Sequence, residues 1–318
     1  MSARILTAAT VAAIFAGVLP AKAADSQLLN LVMPDAVVIA GVNVEQAKAT
    51  PFGQYILSQV PSQDPHMQEL IAQTGFDPTR DVHEFLAASN QVGASNKGSG
   101  LILARGTFDS ARFATAAGQH GGVTESYKSV TIIEDPKQTH GFAFLNTTIA
   151  VAGDIASVKG AIDRQSSPAP LPAALLVQIN HWSTTQDAWA ISNVPLASLA
   201  NTPPAAKSLP GLNGQGSFQA IQSAAGGVKY GDQIVITAQA QADTADNAKV
   251  MADTLKLLAS LVQLQASKEP AAAAVLQSLT ITAQGSTLNV SLSVPEDLLQ
   301  KALKPAASLG ARKLEPRK

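Results

Sequence analysis

The side chains that could do acid–base chemistry lie in one short acidic stretch. Asp77, Asp81 and Glu84 form the densest carboxylate cluster of the chain. Paired carboxylates can act as general acid and general base, and carboxylate oxygens are ligands that Ca²⁺ prefers. Pro78 and Arg80 stand where a calcium loop needs ligands, so the simpler interpretation is an Asp-Pro turn in which Arg80 neutralises its neighbours. The cluster is therefore a candidate site, although a purely structural turn explains the same residues.

Arg105 and Asp109 form a second candidate site, within the stretch from Gly100 to Gly118. An apolar strand over Leu101–Ala104 leads towards Asp109, where a helix is predicted to begin. The free amides at a helix N-terminus can bind an anion, and Arg105 would add a positive charge. Alternatively, Asp109 caps the helix with its own carboxylate and Arg105 pairs with an acidic neighbour.

No catalytic or cofactor-binding motif accompanies these residues. The GxSxG, P-loop and GxGxxG patterns are absent, and His83-Glu84 lacks the second histidine of a zinc protease helix. The chain has no cysteine, which excludes disulfides and thiolate metal sites. The sequence therefore predicts neither a metal nor a cofactor. Five histidines are scattered without metal-ligand spacing, namely His66, His83, His120, His140 and His181.

Composition narrows the class of partner. The formal net charge is −1, so the chain offers no electrostatic case for nucleic acid, which would need a basic face. Apolar residues make up 46% of the chain, and many of them are alanine, whereas only 4% are aromatic. Few aromatic rings mean few stacking platforms for bases or sugars. The composition leaves a protein or an apolar ligand as the expected partner.

The first 23 residues have the pattern of a secretory signal peptide. Arg4 gives a positive start, Ile5–Leu19 an apolar run, and Ala21-Lys22-Ala23 a small-residue cleavage site. The apolar run is shorter than the roughly 20 residues of a spanning helix, so no stable transmembrane span is expected after cleavage. Removal leaves 295 residues with a formal charge of −3, because Arg4 and Lys22 are lost. An exported protein, periplasmic or extracellular, is predicted.

The order of predicted elements recurs along the mature chain. Asp35–Ala40 (DAVVIA) has a counterpart in Asp187–Ser192 (DAWAIS), and the strand–acid–helix unit at Gly100 to Gly118 has one at Asp232 to Leu258. Each half has more strands than parallel crossover units allow. The predicted fold class is therefore α+β, with two tandem related halves, each a mostly antiparallel sheet packed against helices.

Domain boundaries follow from this repeat. The predicted first α+β repeat covers residues 24–165, and the second covers residues 187–303. Residues 166–186 are predicted to be a linker and a short helix, because SSPAPLP is rich in proline and serine. Residues 304–318 are predicted to be a basic disordered tail. Whether the two halves form one sheet or two separate domains is left open.

The long helix predicted after Asp243 has an apolar stripe. Ala248, Met251, Leu255, Leu258 and Val262 follow each other at helical spacing. Such small and aliphatic residues could hold an apolar ligand between helix and sheet, although ordinary core packing explains the same pattern.

Three segments resemble a family of exported bacterial proteins. They are LVMPDAVVIAGVNVEQAKATPFGQYIL, GLILARGTFD and VAGDIASVKGAIDR. The sequence resembles the DUF3352-like proteins of uncharacterised function, whose members carry repeated MPxD strand–helix and GDxxxVKxAID segments. The resemblance is clearest over Leu31 to Arg164 and fades in the second half. It implies an exported, repeated α+β protein, and it supplies no catalytic residue.

Three functions are consistent with the sequence. The first is a non-catalytic exported binding or assembly module, indicated by the leader, the repeat and the missing catalytic motifs. The second is a carrier of an apolar ligand or lipid between helix and sheet. The third is a hydrolase that uses the carboxylates of Asp77, Asp81 and Glu84, which requires these groups to converge in a cleft.

Overall fold

The computed structural model describes residues 23–63, 65–91, 99–119, 121–195, 219–266 and 270–303. The predicted basic tail and, apart from Ala23, the predicted leader lie outside these ranges. The strands within them are β1 (Val38–Asn43), β2 (Val82–Ser89), β3 (Gly100–Gly106), β4 (Val123–Tyr127), β5 (Val130–Glu134), β6 (His140–Phe144), β7 (Ile149–Asp154), β8 (Ala188–Ser192), β9 (Ile221–Lys229), β10 (Gln233–Ala242), β11 (Thr280–Gln284) and β12 (Thr287–Pro295). The helices are α1 (Ser26–Leu29), α2 (Val44–Lys48), α3 (Pro51–Gln63), α4 (Pro65–Thr74), α5 (Pro78–Asp81), α6 (Ser110–Gln119), α7 (Ile155–Ser166), α8 (Ala173–Thr185), α9 (Ala245–Ala266), α10 (Pro270–Gln277) and α11 (Glu296–Leu303).

All twelve of these strands belong to one sheet. Their order is β11-β12-β10-β9-β8-β1-β2-β3-β7-β6-β5-β4, and the neighbouring strands pair antiparallel. The structure confirms the α+β class with a large antiparallel sheet and helices. The sheet is continuous across the predicted halves, because β1 pairs directly with β8. This pairing answers the question that the sequence left open.

One side of the sheet, which we call the core face, is covered by helices over its middle strands. Ile39, Leu86, Leu103 and Ile191 alternate with residues of the other side and are almost fully buried. They pack with residues of α1, α7 and α8 in a single apolar cluster. The helix α8 lies in the region predicted as linker and short helix, and it contributes buried core side chains: Leu175, Ile179 and Trp182.

The opposite side, which we call the open face, is covered by described helices at its two flanks and at one end of its middle strands. Val42, Phe85, Ala104 and Ala150 point to this side, since each precedes or follows a residue of the core face. Helices α2 to α6 pack over this flank, and α9 packs over β10, β11 and β12 at the other. Helices α3 and α11 contact each other across one end of the middle strands, where Ile234 is fully buried. Further along these strands the open face is partly exposed.

Local sequence signals explain where helices begin. Asp154 precedes α7, and its carboxylate accepts a hydrogen bond from the Ser157 amide at 2.9 Å, as a helix cap does. Pro51 begins α3, because proline fits the first helical position, where its missing N–H is not needed. In the described ranges, no helix is both long enough and apolar enough to cross a membrane.

Candidate ligand-binding face

Asp77 and Asp81 meet in the turn around α5. The Asp77 carboxylate caps this helix by accepting hydrogen bonds from Thr79 N at 2.9 Å and Thr79 Oγ1 at 2.6 Å. Asp81 accepts from the Asp77 amide at 2.9 Å and from Arg80 Nε at 2.7 Å. The hydrogen bond from Arg80 is the main reason that the pKa of Asp81 lies below its usual value. Both carboxylates therefore accept hydrogen bonds from within their own turn.

Glu84 lies apart from these two acids, on the core face. It is 9% exposed and stands opposite Arg105 in the pairing of β2 with β3. Its carboxylate accepts a hydrogen bond from the Asp25 amide at 3.0 Å. The structure thus brings Asp77 and Asp81 together and places Glu84 beside a different partner.

Arg105 fastens the segment that follows the predicted cleavage site. Its Nε lies 2.6 Å from Asp25 Oδ2, and its Nη2 donates to Asp25 Oδ1 at 3.0 Å and to Gln27 Oε1 at 2.6 Å. Asp25 also caps α1, and the Ala24 amide donates to Ser183 Oγ at 3.1 Å. The sequence predicted an acidic partner for Arg105, but not one that lies 80 residues away.

Asp109 occupies the start of α6. Its Oδ1 accepts from the Arg112 amide at 3.2 Å, and its Oδ2 lies 3.2 Å from Arg112 Nε. The carboxylate therefore takes part of the hydrogen-bonding capacity that an external anion would need. Asp109 and Asp81 both line one small cavity of about 220 Å³, together with their arginines.

A cluster of phenylalanine rings lies beneath this region, although the chain is poor in aromatic residues. Five of the nine phenylalanines contact each other with ring centroids between 4.9 and 6.0 Å apart. They come from α6 itself, from β6 and from the loops before α5 and α6, and they pack on the open face. The rings belong to Phe76, Phe108, Phe113, Phe142 and Phe144.

Helices α4 and α6 form a groove over these rings, which we call the Phe groove. A cavity of about 250 Å³ lies over Phe113 and Phe142, with Leu70 and Ala116 at its sides. A second cavity of about 350 Å³ shares Ala116 and Gln73 with the first and extends along α6. The floor of the groove is apolar, whereas Arg112 and Asp109 stand at its rim.

A row of small residues continues the apolar floor across the middle of the sheet. Strand register places eight residues from eight strands side by side on the open face, and we call this set the alanine row. Ile102 within it is 51% exposed, and three of its alanines are also exposed. The row consists of Ala238, Gly226, Ala190, Ala40, Ala87, Ile102, Ala152 and Phe142.

One end of the alanine row is covered, whereas the stretch from Ala238 to Ile102 is partly exposed. Phe142 lies under α6, with its ring centroid 6.0 Å from that of Phe113. At the other end, Ala238 pairs with Val290, which packs against the cluster beneath α9. Since neighbouring strands lie about 4.8 Å apart, the open stretch from Ala238 to Ile102 is about 24 Å wide.

The contact between α9 and the sheet is filled by the helix's own side chains. Ala248, Met251 and Ala252 are buried against Leu288 and Ile281. Apolar space is therefore available on the open face beside α9 rather than beneath it.

Two glutamates that sequence reasoning missed meet near the β4 edge of the sheet. Glu134 is 5% exposed, and burial together with its hydrogen bond to Glu125 raises its pKa. Lys159 lies 2.8 Å from Glu125, and this contact lowers the pKa of Glu125. Within the described ranges, no three His, Asp or Glu side chains gather as metal ligands would.

Comparison with known proteins shows a similarity of fold and no similarity of sequence. The sequence matches no family model and no curated protein. Three crystal forms of TP0453 resemble it. Form III has a TM-score of 0.54 at 9% identity, covering 86% of this chain and 96% of that chain. Form IV has a TM-score of 0.52 at 10% identity, covering 87% and 96%, and form I has 0.50 at 11%, covering 88% and 97%. The shared feature is the mixed α and β architecture.

Proposed function

We propose that this protein is a non-catalytic binding module that accepts an elongated apolar ligand on the open face of its sheet. One observation carries this proposal: the alanine row joins the Phe groove to the flank of α9 as a continuous, partly exposed apolar floor. Contiguous exposed apolar surface marks a binding site, whereas the ordinary exterior of a protein has apolar residues scattered singly.

The dimensions of this floor suit a chain-like ligand. Alanine has a short side chain and glycine has none, so the backbone lies near the surface. A ligand could therefore lie flat across the strands between α6 and α9. The Phe groove offers a deeper apolar end, and Arg112 at its rim could pair with an acidic head group. A fatty acid has this chemistry.

The hydrogen bonds that the acidic residues already accept support a non-catalytic role. Asp77, Asp81 and Asp109 each accept hydrogen bonds from their own turn or helix. The pKa of Asp81 is lowered, which favours a permanent carboxylate over a group that exchanges protons. The hydrolase hypothesis for Asp77, Asp81 and Glu84 stays a prediction, for which Asp81→Asn and Glu84→Gln are the first variants to assay.

Titration calorimetry with palmitate tests the proposal. Wild-type protein should bind saturably, and Ala87→Glu should weaken binding about tenfold or more, because a negative charge would stand in the apolar floor and repel the palmitate carboxylate. Val177→Glu is the matched control, since Val177 is 70% exposed on α8, which covers the core face. Absence of saturable binding, or equal binding by the Ala87→Glu variant, would contradict the proposal.

We infer export to the periplasm or the medium from the leader pattern. The inference is supported by the position of Ala24 and Asp25, which are held by Ser183 and Arg105 just after the predicted cleavage site. Mass spectrometry of the protein from cell fractions should find an N-terminus at Ala24. A protein that keeps Met1 and stays in the cytoplasm would refute this inference.

We also propose that the sheet comprises two tandem related halves, at residues 24–165 and 187–303. The order β1-β2-β3-β7-β6 on one side of the β1/β8 pair corresponds to β8-β9-β10-β12-β11 on the other, which supports this relation. A crystal structure in which these two sets of five strands do not superpose would argue against it. We further propose a relation to the DUF3352-like proteins. The three segments that resemble them all lie in the first predicted half.

A further inference from the structure

Helix α9 is apolar on two opposite sides. Its inner side packs on the sheet through Ala248, Met251 and Ala252. Its outer side carries large aliphatic residues that remain exposed: Val250 is 47% exposed, Leu257 62%, Leu261 50% and Leu264 75%. A surface helix of a monomeric protein usually has a polar outer side.

The spacing of the outer residues is that of a coiled-coil seam. Val250, Thr254, Leu257, Leu261 and Leu264 follow each other at alternating steps of four and three residues. This is the a/d pattern of a heptad repeat, in which aliphatic side chains of one helix pack between those of a second helix. We call these five residues the outer seam.

We propose that α9 is a dimerisation helix whose outer seam packs against the same seam of a second copy of this chain. A symmetric pair uses one patch twice, so a self-complementary stripe is sufficient to form it. The proposal does not depend on the ligand that the open face binds.

Charge at the sides of the outer seam fits a second copy better than an anionic surface. Asp246 and Asp253 balance Lys249 and Lys256, and all four are exposed. Two such helices would not repel each other through a net charge, whereas binding to an anionic lipid surface draws on a basic excess that this helix lacks.

The size of the helix indicates a weak, reversible dimer. With 22 residues, α9 is about 33 Å long, and its outer side is about 10 Å wide. Each copy therefore contributes roughly 300–400 Å², or about 600–800 Å² in total, which is below the size of a stable specific interface and fits a transient contact. Such an interface forms and dissociates with protein concentration.

Sedimentation velocity over a range of concentrations tests the proposal with the chain from Ala24 to Lys318. Wild-type protein should change from monomer to dimer as its concentration rises. The double variant Leu257→Glu/Leu261→Glu should remain monomeric throughout, because glutamates would face each other across the seam. Val177→Glu, an exposed apolar position on α8, is the matched control and should dimerise as wild type does.

Circular dichroism and thermal melting establish that each variant is folded. If the glutamate pair disturbs folding, Leu257→Gln/Leu261→Gln replaces it and should lose the dimer in the same way. Hydroxyl-radical footprinting should further show that oxidation of Leu257 and Leu261 falls as the dimer forms.

Three results of the sedimentation experiment would overturn the proposal. They are a wild-type protein that stays monomeric up to millimolar concentration, a dimer that survives the double variant, and a dimer that is lost equally in Val177→Glu. A parallel experiment uses vesicles of phosphatidylcholine with and without phosphatidylglycerol. Seam-dependent binding of monomeric protein to these vesicles would assign the outer seam to lipid and refute dimerisation.

Discussion

Arg105 lies between the acids Asp25 and Glu84 beneath α1, and its positive charge offsets part of their negative charge. Asp25 lies 2.6 Å from its Nε, and Glu84 stands opposite it in the sheet. Removing this cation would leave two partly buried carboxylates facing each other, which is more costly than losing an exposed ion pair. The residue is thus a structural anchor for the segment that contains Asp25 and α1.

The first prediction concerns this anchor. Arg105→Gln should lower the free energy of unfolding by about 2–4 kcal/mol, as measured by urea denaturation. Arg112→Gln is its control, because Arg112 and Asp109 form an exposed pair whose loss should cost less than about 1 kcal/mol. Equal effects of the two substitutions would show that Arg105 has no special role.

The second prediction concerns pH. Burial raises the pKa of Glu134, so its protonated form is favoured in the folded state, and the stability that this provides is lost as pH rises through the folded pKa. Glu134→Gln should therefore gain stability relative to wild type at pH 7–8 and show little gain near pH 4. Thermal melts at several pH values measure this difference.

Asp253→Asn, at an exposed position on α9, should leave the pH profile of stability unchanged. The account of Glu134 would be wrong if Glu134→Gln shifted stability equally at every pH.

At the scale of elements, β8 is tied to its neighbours by one buried acid. Asp187 is 2% exposed, accepts from Lys229 Nζ at 2.7 Å and from the Tyr230 amide at 2.6 Å, and its carbonyl accepts from the Asn43 amide. The ends of β1, β8 and β9 therefore meet at this residue, β9 through its carboxylate and β1 through its carbonyl.

The third prediction follows from this junction. Asp187→Ala should destabilise the fold by about 2–3 kcal/mol, because a buried amide and an ammonium group lose their acceptor. Asp35→Ala is the matched control at the corresponding position of the first predicted repeat, where the side chain is exposed. A melting temperature that changes equally in the two variants would contradict this explanation.

Local patterns predicted many of the elements, and long-range pairing explains what they missed. The strand–acid–helix units at Asp109 and Asp243, the cap at Asp154 and the alternation in β12 depend on neighbouring residues, so they were readable from the sequence. The contact of Arg105 with Asp25 and the phenylalanine cluster join residues far apart in the chain. The alanine row depends on the register of eight strands, which no local pattern specifies.

At the scale of the whole molecule, the core crosses the predicted repeat boundary. Leu175, Ile179 and Trp182 of α8 pack in the same cluster as Ile39 and Leu103 of the first half. The alanine row likewise spans both predicted halves, since Ala40 pairs with Ala190. The packed core therefore extends beyond either predicted repeat.

The fourth prediction tests this shared core. A fragment of residues 24–165 should fail to fold cooperatively, because it lacks α8 and β8, whereas a fragment of residues 24–195 should fold because it retains both. Near-UV circular dichroism and urea titration distinguish the two results. A cooperative transition for residues 24–165 would show that the first repeat is an independent domain.

The most direct test of the central claim is a titration with palmitate followed by methyl NMR. Protein labelled at alanine and isoleucine methyl groups should show saturable shifts at Ala40, Ala87, Ile102 and Ala190, with little change at Ile39 and Ile191 on the core face. Shifts confined to other residues, or no saturable shift at any concentration of palmitate below its micellar range, would contradict an apolar binding floor on this sheet.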